Sequence, residues 1–181
     1  MTVPLIYSYR SGAVNNWLGL ALAGMPTRPL TCPPLDAATF PYARLAEADL
    51  VYIALHGLPG ARMLYGDADN PALDARRIET VKRGAVVILE GCYGLETFFP
   101  QAFLMAGASA VLASRDATWD RRWRLGPAGR AGLAMLRALR AGKTAGDALT
   151  AARQFGDTWA VRGDMLAALS PGGEVGDGGR A

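Results

Sequence analysis

The chain contains a single histidine, His56, which directly follows an apolar run of strand length at residues 49–55. A second apolar run, residues 85–89, precedes Cys92 with two residues in between. In open α/β sheets, sites are built at the edge formed by the carboxyl ends of the strands. A cysteine attacks as its thiolate, and a nearby histidine can hold or take the proton. His56 and Cys92 are therefore the candidate catalytic pair.

Glycines accompany both candidate residues. Gly57 directly follows His56, and Gly91 and Gly94 flank Cys92. Because glycine has no side chain, a substrate backbone can approach closely at these positions. The backbone N–H groups of Gly57 and Cys92 form a candidate oxyanion hole for a tetrahedral intermediate. The predicted chemistry is acyl transfer, with hydrolysis of a peptide bond as the leading candidate.

The composition is that of an ordinary globular domain and argues against several other kinds of site. The 181 residues are 51% hydrophobic and 19% charged, and the net charge of +3 does not by itself indicate nucleic-acid binding. Two cysteines, Cys32 and Cys92, and one histidine are too few for a Cys/His metal site or a disulfide framework. We predict no metal and no cofactor, and we interpret Cys32 as structural.

Two further features bear on where the protein acts. The first ten residues lack the basic and small-residue features of a signal peptide. No apolar run approaches the roughly 18–20 residues that a membrane span requires. The expectation is a soluble, cytoplasmic protein with no membrane span and no nucleic-acid partner.

Apolar runs of strand length alternate with segments of helical periodicity along the chain. Strands are predicted at residues 3–9, 28–32 (an edge strand because of its prolines), 49–55, 85–89, 109–113 and 159–162. Helices are predicted at residues 14–22 after an N-cap at Ser11, 70–83 after the Asn70-Pro71 start signal, 99–106, 128–139, and 144–155 with a capping box of Thr144 and Asp147.

This alternation predicts a single α/β domain over residues 1–170. Its sheet is expected to be doubly wound and mostly parallel, with helices on both faces. The strands at 49–55 and 85–89 are consecutive candidates joined by the helix at 70–83, so they are expected to pair side by side. Residues 171–181 are rich in glycine and are predicted to form a disordered tail.

The order of these features resembles the caspase-like cysteine peptidases of clan CD, most of all the gingipain-type and CHAT-type domains. The resemblance covers residues 1–170. It rests on a strand followed by His56-Gly57, a strand followed by Gly91-Cys92-Tyr93-Gly94, the segments 103–114 and 147–153, and the pair Gly163-Asp164. It implies a caspase-like fold with His56 as general base or proton holder, Cys92 as nucleophile, and the amides of Gly57 and Cys92 as the oxyanion hole.

One departure from the family pattern limits what can be transferred. Caspases proper carry Gln-Ala-Cys before a basic residue, whereas this chain has Glu90-Gly91-Cys92-Tyr93. Caspase specificity is therefore not expected here. Glu90 itself could orient the histidine or hold a loop, although a helix cap or a surface salt bridge is the commoner role for such a residue.

The loop after the strand that ends at Ser114 is where this fold usually holds the substrate residue before the scissile bond, P1. The candidate substrate-binding residues there are Ser114, Arg115, Asp116 and Asp120. Either aspartate favours a P1 arginine or lysine, whereas Arg115 favours an acidic P1. The residue types leave both specificities open, and a basic P1 is the working hypothesis.

Two other functions compete with a peptidase acting on a peptide or protein substrate. A chain of the same fold could act without turnover, as an interaction or signalling module with a regulatory partner protein. A doubly wound sheet could also bind a nucleotide or phosphate, but no GxGxxG or GxxxxGK[ST] motif follows the first strand.

Seven arginines lie between residues 115 and 140. A solvated loop and helix face is the common explanation for such a cluster, and a surface that binds anionic groups is the alternative. The loop part of this segment could also be a protease-sensitive activation segment. The arginines are Arg115, Arg121, Arg122, Arg124, Arg130, Arg137 and Arg140.

Overall fold

A six-stranded sheet forms the centre of the protein, in a computed structural model that describes residues 5–11, 27–118, 126–156 and 158–169. The strands are β1 Ile6–Ser11, β2 Thr27–Cys32, β3 Leu50–Ala54, β4 Met63–Tyr65, β5 Pro71–Asp74, β6 Val86–Glu90, β7 Ala110–Ser114 and β8 Trp159–Gly163. The sheet has the order β2-β1-β3-β6-β7-β8, and β4 and β5 pair separately as an antiparallel hairpin. All neighbours in the sheet are parallel except β7 and β8, which confirms the prediction of a mostly parallel sheet.

Three α-helices flank this sheet in the described part of the chain. They are α1 Phe99–Met105, α2 Pro127–Arg140 and α3 Ala145–Ala152. Short 3-10 turns lie at Tyr42–Glu47, Asp67–Asp69, Ala75–Arg77, Gly94–Glu96 and Arg153–Phe155. The helix predicted at 144–155 is therefore α3 followed by a tighter last turn.

Local sequence signals account for the ends of these helices. Thr144 and Asp147 form the predicted capping box at the start of α3, in which each side chain accepts from the other residue's backbone N–H. Helix α1 has Pro100 in its first turn, where the missing N–H costs nothing. It ends before Gly107, whose φ of +121° is a conformation that other residues rarely adopt.

The core has two layers because successive strand residues point to opposite faces of the sheet. On one face, residues such as Val51, Val87 and Val111 pack with Phe99 and Phe103 of α1. On the other face, Leu50, Val86 and Leu112 belong to a second cluster with Met135 and Leu136 of α2 and Ala148 of α3. Helices therefore cover both faces, as predicted. Strands β3, β6 and β7 are buried on both sides, which explains why they are continuous apolar runs.

The prediction of a helix at residues 70–83 is wrong. Residues Pro71–Asp74 form β5, and a 3-10 turn and irregular chain follow. The Asn70 side chain donates to the Asp67 carbonyl oxygen at 2.7 Å, so Asn-Pro closes the hairpin turn instead of starting a helix. Pairing with β4 then overrides the local helix signal. The connection from β3 to β6 is consequently built from a hairpin and turns.

Some predictions concern residues at the ends of the described ranges or outside them. Ser11, predicted as an N-cap, is the last residue of β1 and lies opposite Cys32 of β2. The helix predicted at 14–22 and the tail at 171–181 lie outside the described residues. Among the described helices, none is long and apolar enough to cross a membrane.

Candidate active site

His56 lies two residues beyond the end of β3 and is exposed. Its backbone pairs with Tyr65 of β4: the His56 N–H donates to the Tyr65 carbonyl at 2.8 Å, and the Tyr65 N–H donates back at 2.9 Å. The hairpin therefore fixes the main chain of the histidine and leaves the imidazole accessible. Strand β5, which lies in the segment that was predicted as a helix, pairs with β4 and completes this support.

Cys92 lies two residues beyond the end of β6, the strand next to β3. It is a free cysteine and only partly buried. The next residue, Tyr93, has a φ of +54°, which is uncommon for a side chain of its size and turns the chain sharply after the thiol. The Tyr93 N–H donates to the Asp116 carbonyl at 3.0 Å, so this turn is tied to the loop after β7.

The two strand ends touch through their backbones at two glycines. A Cβ atom on Gly57 would lie 2.6 Å from the Cys92 carbonyl oxygen, well inside van der Waals contact. A Cβ atom on Gly91 would collide with the Leu55 carbonyl oxygen. Only glycine allows this approach at both positions. The main chains that carry His56 and Cys92 therefore lie side by side, as the sequence predicted.

The side chains of the predicted pair are not linked. Within the described ranges, the His56 imidazole has no hydrogen-bond partner, Cys92 included. The backbone N–H groups of Gly57 and Cys92 likewise donate to no described residue. Gly57 is buried, and a buried backbone N–H without a partner is rare in folded proteins. As far as the described residues are concerned, both predicted oxyanion-hole N–H groups can therefore donate to a ligand oxygen.

The sulfur of Cys92 contacts the backbone of Thr118, a residue that sequence analysis did not single out. The Thr118 N–H donates to Cys92 Sγ at 3.3 Å, and the Thr118 carbonyl oxygen lies 3.4 Å from the same atom. The Thr118 hydroxyl lies 3.9 Å away. Every residue except proline has both of these backbone groups, so no residue type in the sequence could indicate this contact.

The predicted substrate-binding residues differ in their surroundings. Ser114 is buried, and its hydroxyl donates to the Asp116 carbonyl at 2.9 Å and accepts from the Asp116 N–H at 3.2 Å. Arg115 and Asp116 are exposed, and the Arg115 N–H donates to the Thr158 carbonyl at 2.7 Å. Asp120 lies outside the described residues. The segment 114–118 is thus fixed next to Cys92, with the Asp116 side chain in solvent.

Glu90 does not lie on the surface, where a salt bridge is the commoner role for such a residue. It is buried, and its carboxylate accepts a hydrogen bond from the Tyr52 hydroxyl of the neighbouring strand. Gly132 of α2 packs against both groups, since a Cβ atom there would collide with the Tyr52 hydroxyl and lie 2.9 Å from Glu90 Oε2. This pair joins β3 to β6 just before the strands reach His56 and Cys92.

Cys32 is completely buried at the edge of the sheet, against Gly66. Burial raises the pKa of the Cys32 thiol. A protonated, buried thiol is a poor nucleophile, which agrees with its predicted structural role. In the described ranges, no group of three or more His, Cys, Asp or Glu side chains is arranged to hold a metal ion.

The fold is similar to those of solved cysteine proteinases. The Arg-specific cysteine proteinase gingipain R (RgpB) gives a TM-score of 0.60 at 15% identity, over 91% of this chain and 47% of that chain. The complex of the Porphyromonas gingivalis RgpB pro- and mature domains gives 0.59 at 12% identity, over 92% and 48%. The Saccharomyces cerevisiae separase–securin complex gives 0.55 at 12% identity, over 90% of this chain and 12% of that one.

These similarities show that the chain has the caspase-like fold that the sequence predicted. The chain spans about half the length of the gingipain chains that it matches. No protein-family model and no curated protein sequence matches it.

The contact between the strand ends predicts the effect of Gly57→Ala. The added methyl group meets a backbone carbonyl that cannot rotate away, so the strand ends must separate. We expect a loss of about 1–3 kcal/mol in the free energy of unfolding in urea. Leu58→Ala, at an exposed neighbouring position, serves as the control and should change it by less than about 0.5 kcal/mol. Equal stability of Gly57→Ala and the wild type would contradict the contact.

The different environments of the two cysteines predict selective alkylation. Iodoacetamide should modify Cys92 in the folded protein and leave Cys32 unmodified until denaturant is added, because the Cys32 thiol is inaccessible and its pKa is raised. Peptide mapping by mass spectrometry identifies the modified residue. The Cys92→Ala variant should remain unmodified while folded; modification of Cys32 in the native protein would show that the burial described above is wrong.

Proposed function

We propose that the protein is a cysteine endopeptidase in which Cys92 is the nucleophile and His56 transfers the proton. The observation that carries the proposal is the backbone contact at Gly57 and Gly91, which holds a histidine and a partly exposed cysteine at adjacent strand ends. The similarity to solved cysteine proteinases supports it at the level of the fold. The substrate class is a peptide or protein.

In the acylation step, Cys92 Sγ attacks the carbonyl carbon of the scissile peptide bond while its proton passes to the His56 imidazole. The electron pair of the C=O bond moves to the oxygen, which accepts hydrogen bonds from the N–H groups of Gly57 and Cys92. When the tetrahedral intermediate collapses, the C–N bond breaks and the imidazolium gives its proton to the leaving amine. A thioester on Cys92 remains.

In the deacylation step, a water molecule attacks the thioester carbonyl and gives a proton to His56. The same two N–H groups hold the second oxyanion. The C–S bond then breaks, the carboxylic acid product leaves, and the proton returns to the sulfur. In this proposal the proton passes from Cys92 Sγ to the imidazole as the sulfur attacks the bound substrate, since no hydrogen bond joins the two side chains among the described residues.

Thr118 has two roles in this proposal. Its N–H directs a positive dipole at Cys92 Sγ and supports negative charge there. Its carbonyl oxygen lies 3.4 Å from the same sulfur, and we infer that an incoming substrate carbonyl displaces it. Substrate binding therefore shifts the segment 115–118 from the position that it has in the free protein.

The proposed P1 specificity is for arginine or lysine. The exposed Asp116 carboxylate belongs to the segment that contacts Cys92, and Ser114 holds the Asp116 backbone in place. A carboxylate there pairs with a cationic P1 side chain through charge-assisted hydrogen bonds. Asp120 belongs to the same loop and is proposed as a second carboxylate of this subsite.

The second candidate function is an interaction module without turnover. It is favoured by the Thr118 carbonyl at the sulfur and by the His56 imidazole, which has no hydrogen-bond partner among described residues. Such a module keeps the fold and its partner surfaces while the sulfur stays covered. The activity measurement below distinguishes the two candidates.

Hydrolysis of fluorogenic peptides with arginine, lysine, alanine or aspartate at P1 tests the peptidase directly. We expect turnover by the wild type and by Cys32→Ala, and a loss of roughly a thousandfold or more in kcat/KM for Cys92→Ala and for His56→Ala. Circular dichroism checks that all four proteins are folded. Absence of turnover in the folded wild type, or full turnover in Cys92→Ala, contradicts the proposal.

Variants of the two loop aspartates test the P1 hypothesis. Replacing Asp116 and Asp120 together by asparagine should lower kcat/KM for the arginine peptide about tenfold or more, because a charge-assisted hydrogen bond is lost. The alanine peptide should be hydrolysed as before, which serves as the internal control. An unchanged ratio of arginine to alanine hydrolysis would show that neither carboxylate binds P1.

A further inference from the structure

Helices α2 and α3 enclose a groove on the face of the sheet opposite α1. Its volume is about 710 Å³. The groove contains partly exposed apolar side chains, including Leu133 and Ala138 of α2 and Phe155 of the 3-10 turn that follows α3. None of these residues belongs to the site described above, and the proposed reaction does not use them.

Basic side chains border this groove. Arg130 and Arg137 project from α2 and Lys143 from the connection to α3, and all three are exposed. Asp147 is the acidic residue of the lining, and its carboxylate is engaged in the capping box with Thr144. In the described part of the chain, neither arginine forms an ion pair. The charges of these two arginines are therefore not neutralised by an ion pair with any described residue.

The basic charge of the protein is concentrated in this helix pair. Residues 127–156 contain five arginine or lysine residues and one aspartate, which leaves a net charge of +4 against +3 for the whole chain. Three of the seven arginines noted in the sequence, Arg130, Arg137 and Arg140, belong to α2. The groove thus combines an apolar floor with an unbalanced basic rim.

We propose that the groove between α2 and α3 binds an acidic, amphipathic α-helix of a partner protein. Groove-lining residues of α2 and of its C-cap recur at positions 130, 133, 134, 137, 138 and 141, which is the spacing of one helix face over three turns. That face is roughly 16 Å long, so it matches a partner helix of about 11 residues. Leucine-type side chains would enter between Leu133 and Phe155, with glutamates facing the arginines.

Other occupants fit this surface less well. Nucleic acid would use the basic rim but gain nothing from an apolar floor between two helices. The last twelve residues of the chain include five glycines and, among large apolar residues, only Val175, so their composition does not match the apolar floor. The proposal is independent of the peptidase function, because it requires neither Cys92 nor His56.

The probe for the test is a fluorescein-labelled synthetic helix of fourteen residues, with leucines on one face and glutamates on both flanks. We expect saturable binding in fluorescence anisotropy and shifts in the ¹⁵N–¹H spectrum confined to residues 127–156. Arg130→Glu/Arg137→Glu should weaken binding at least tenfold. The matched control, Arg44→Glu/Arg83→Glu, reverses two exposed arginines outside the helix pair and should bind as the wild type does.

Two further probes determine whether the apolar floor contributes. A peptide of the same composition in scrambled order, and a single-stranded oligonucleotide of equal charge, should bind at least tenfold more weakly than the amphipathic helix. Leu133→Asn should weaken binding of the helix severalfold without changing the charge. Equal binding of the scrambled peptide, tighter binding of the oligonucleotide, or an unaffected Arg130→Glu/Arg137→Glu variant would each overturn the proposal.

Discussion

The arrangement of the site depends on one constraint, which is the backbone contact between the ends of two neighbouring parallel strands. Gly57 lies against the Cys92 carbonyl and Gly91 against the Leu55 carbonyl, at distances that exclude any Cβ atom. Parallel pairing of β3 and β6 brings these ends to one edge of the sheet. The absence of two side chains then allows the final approach. Histidine and cysteine are adjacent because the residues beside them are glycine.

Three surrounding elements hold this contact in place. The β4–β5 hairpin pairs with the backbone of His56, and the segment after β7 bonds to Tyr93 and to the Cys92 sulfur. On the opposite face, the buried Tyr52–Glu90 hydrogen bond joins β3 to β6 beneath α2. The strand ends are thus supported from the other face of the sheet by a polar pair, and Gly132 of α2 leaves room for that pair.

The sequence predicted those parts of the structure that depend on periodicity and local signals. These include the buried strands, the helices on both faces, the Thr144 capping box and the adjacent positions of His56 and Cys92. The predictions were wrong or incomplete where contacts between distant segments determine the structure. Asn70-Pro71 is a helix start signal and equally a turn signal, and pairing with β4 decided between them. The contact of Thr118 with the sulfur uses backbone atoms alone, so no residue type could reveal it.

We propose that the contact between the strand ends makes Cys92 a nucleophile assisted by His56. It is tested most directly by treating the folded protein with a mixture of peptide acyloxymethyl ketones that differ at P1, followed by peptide mapping. We expect one adduct, on Cys92, which is absent from Cys92→Ala and forms far more slowly in His56→Ala. Labelling that persists in Cys92→Ala, or that occurs on Cys32 in the folded wild type, would contradict it.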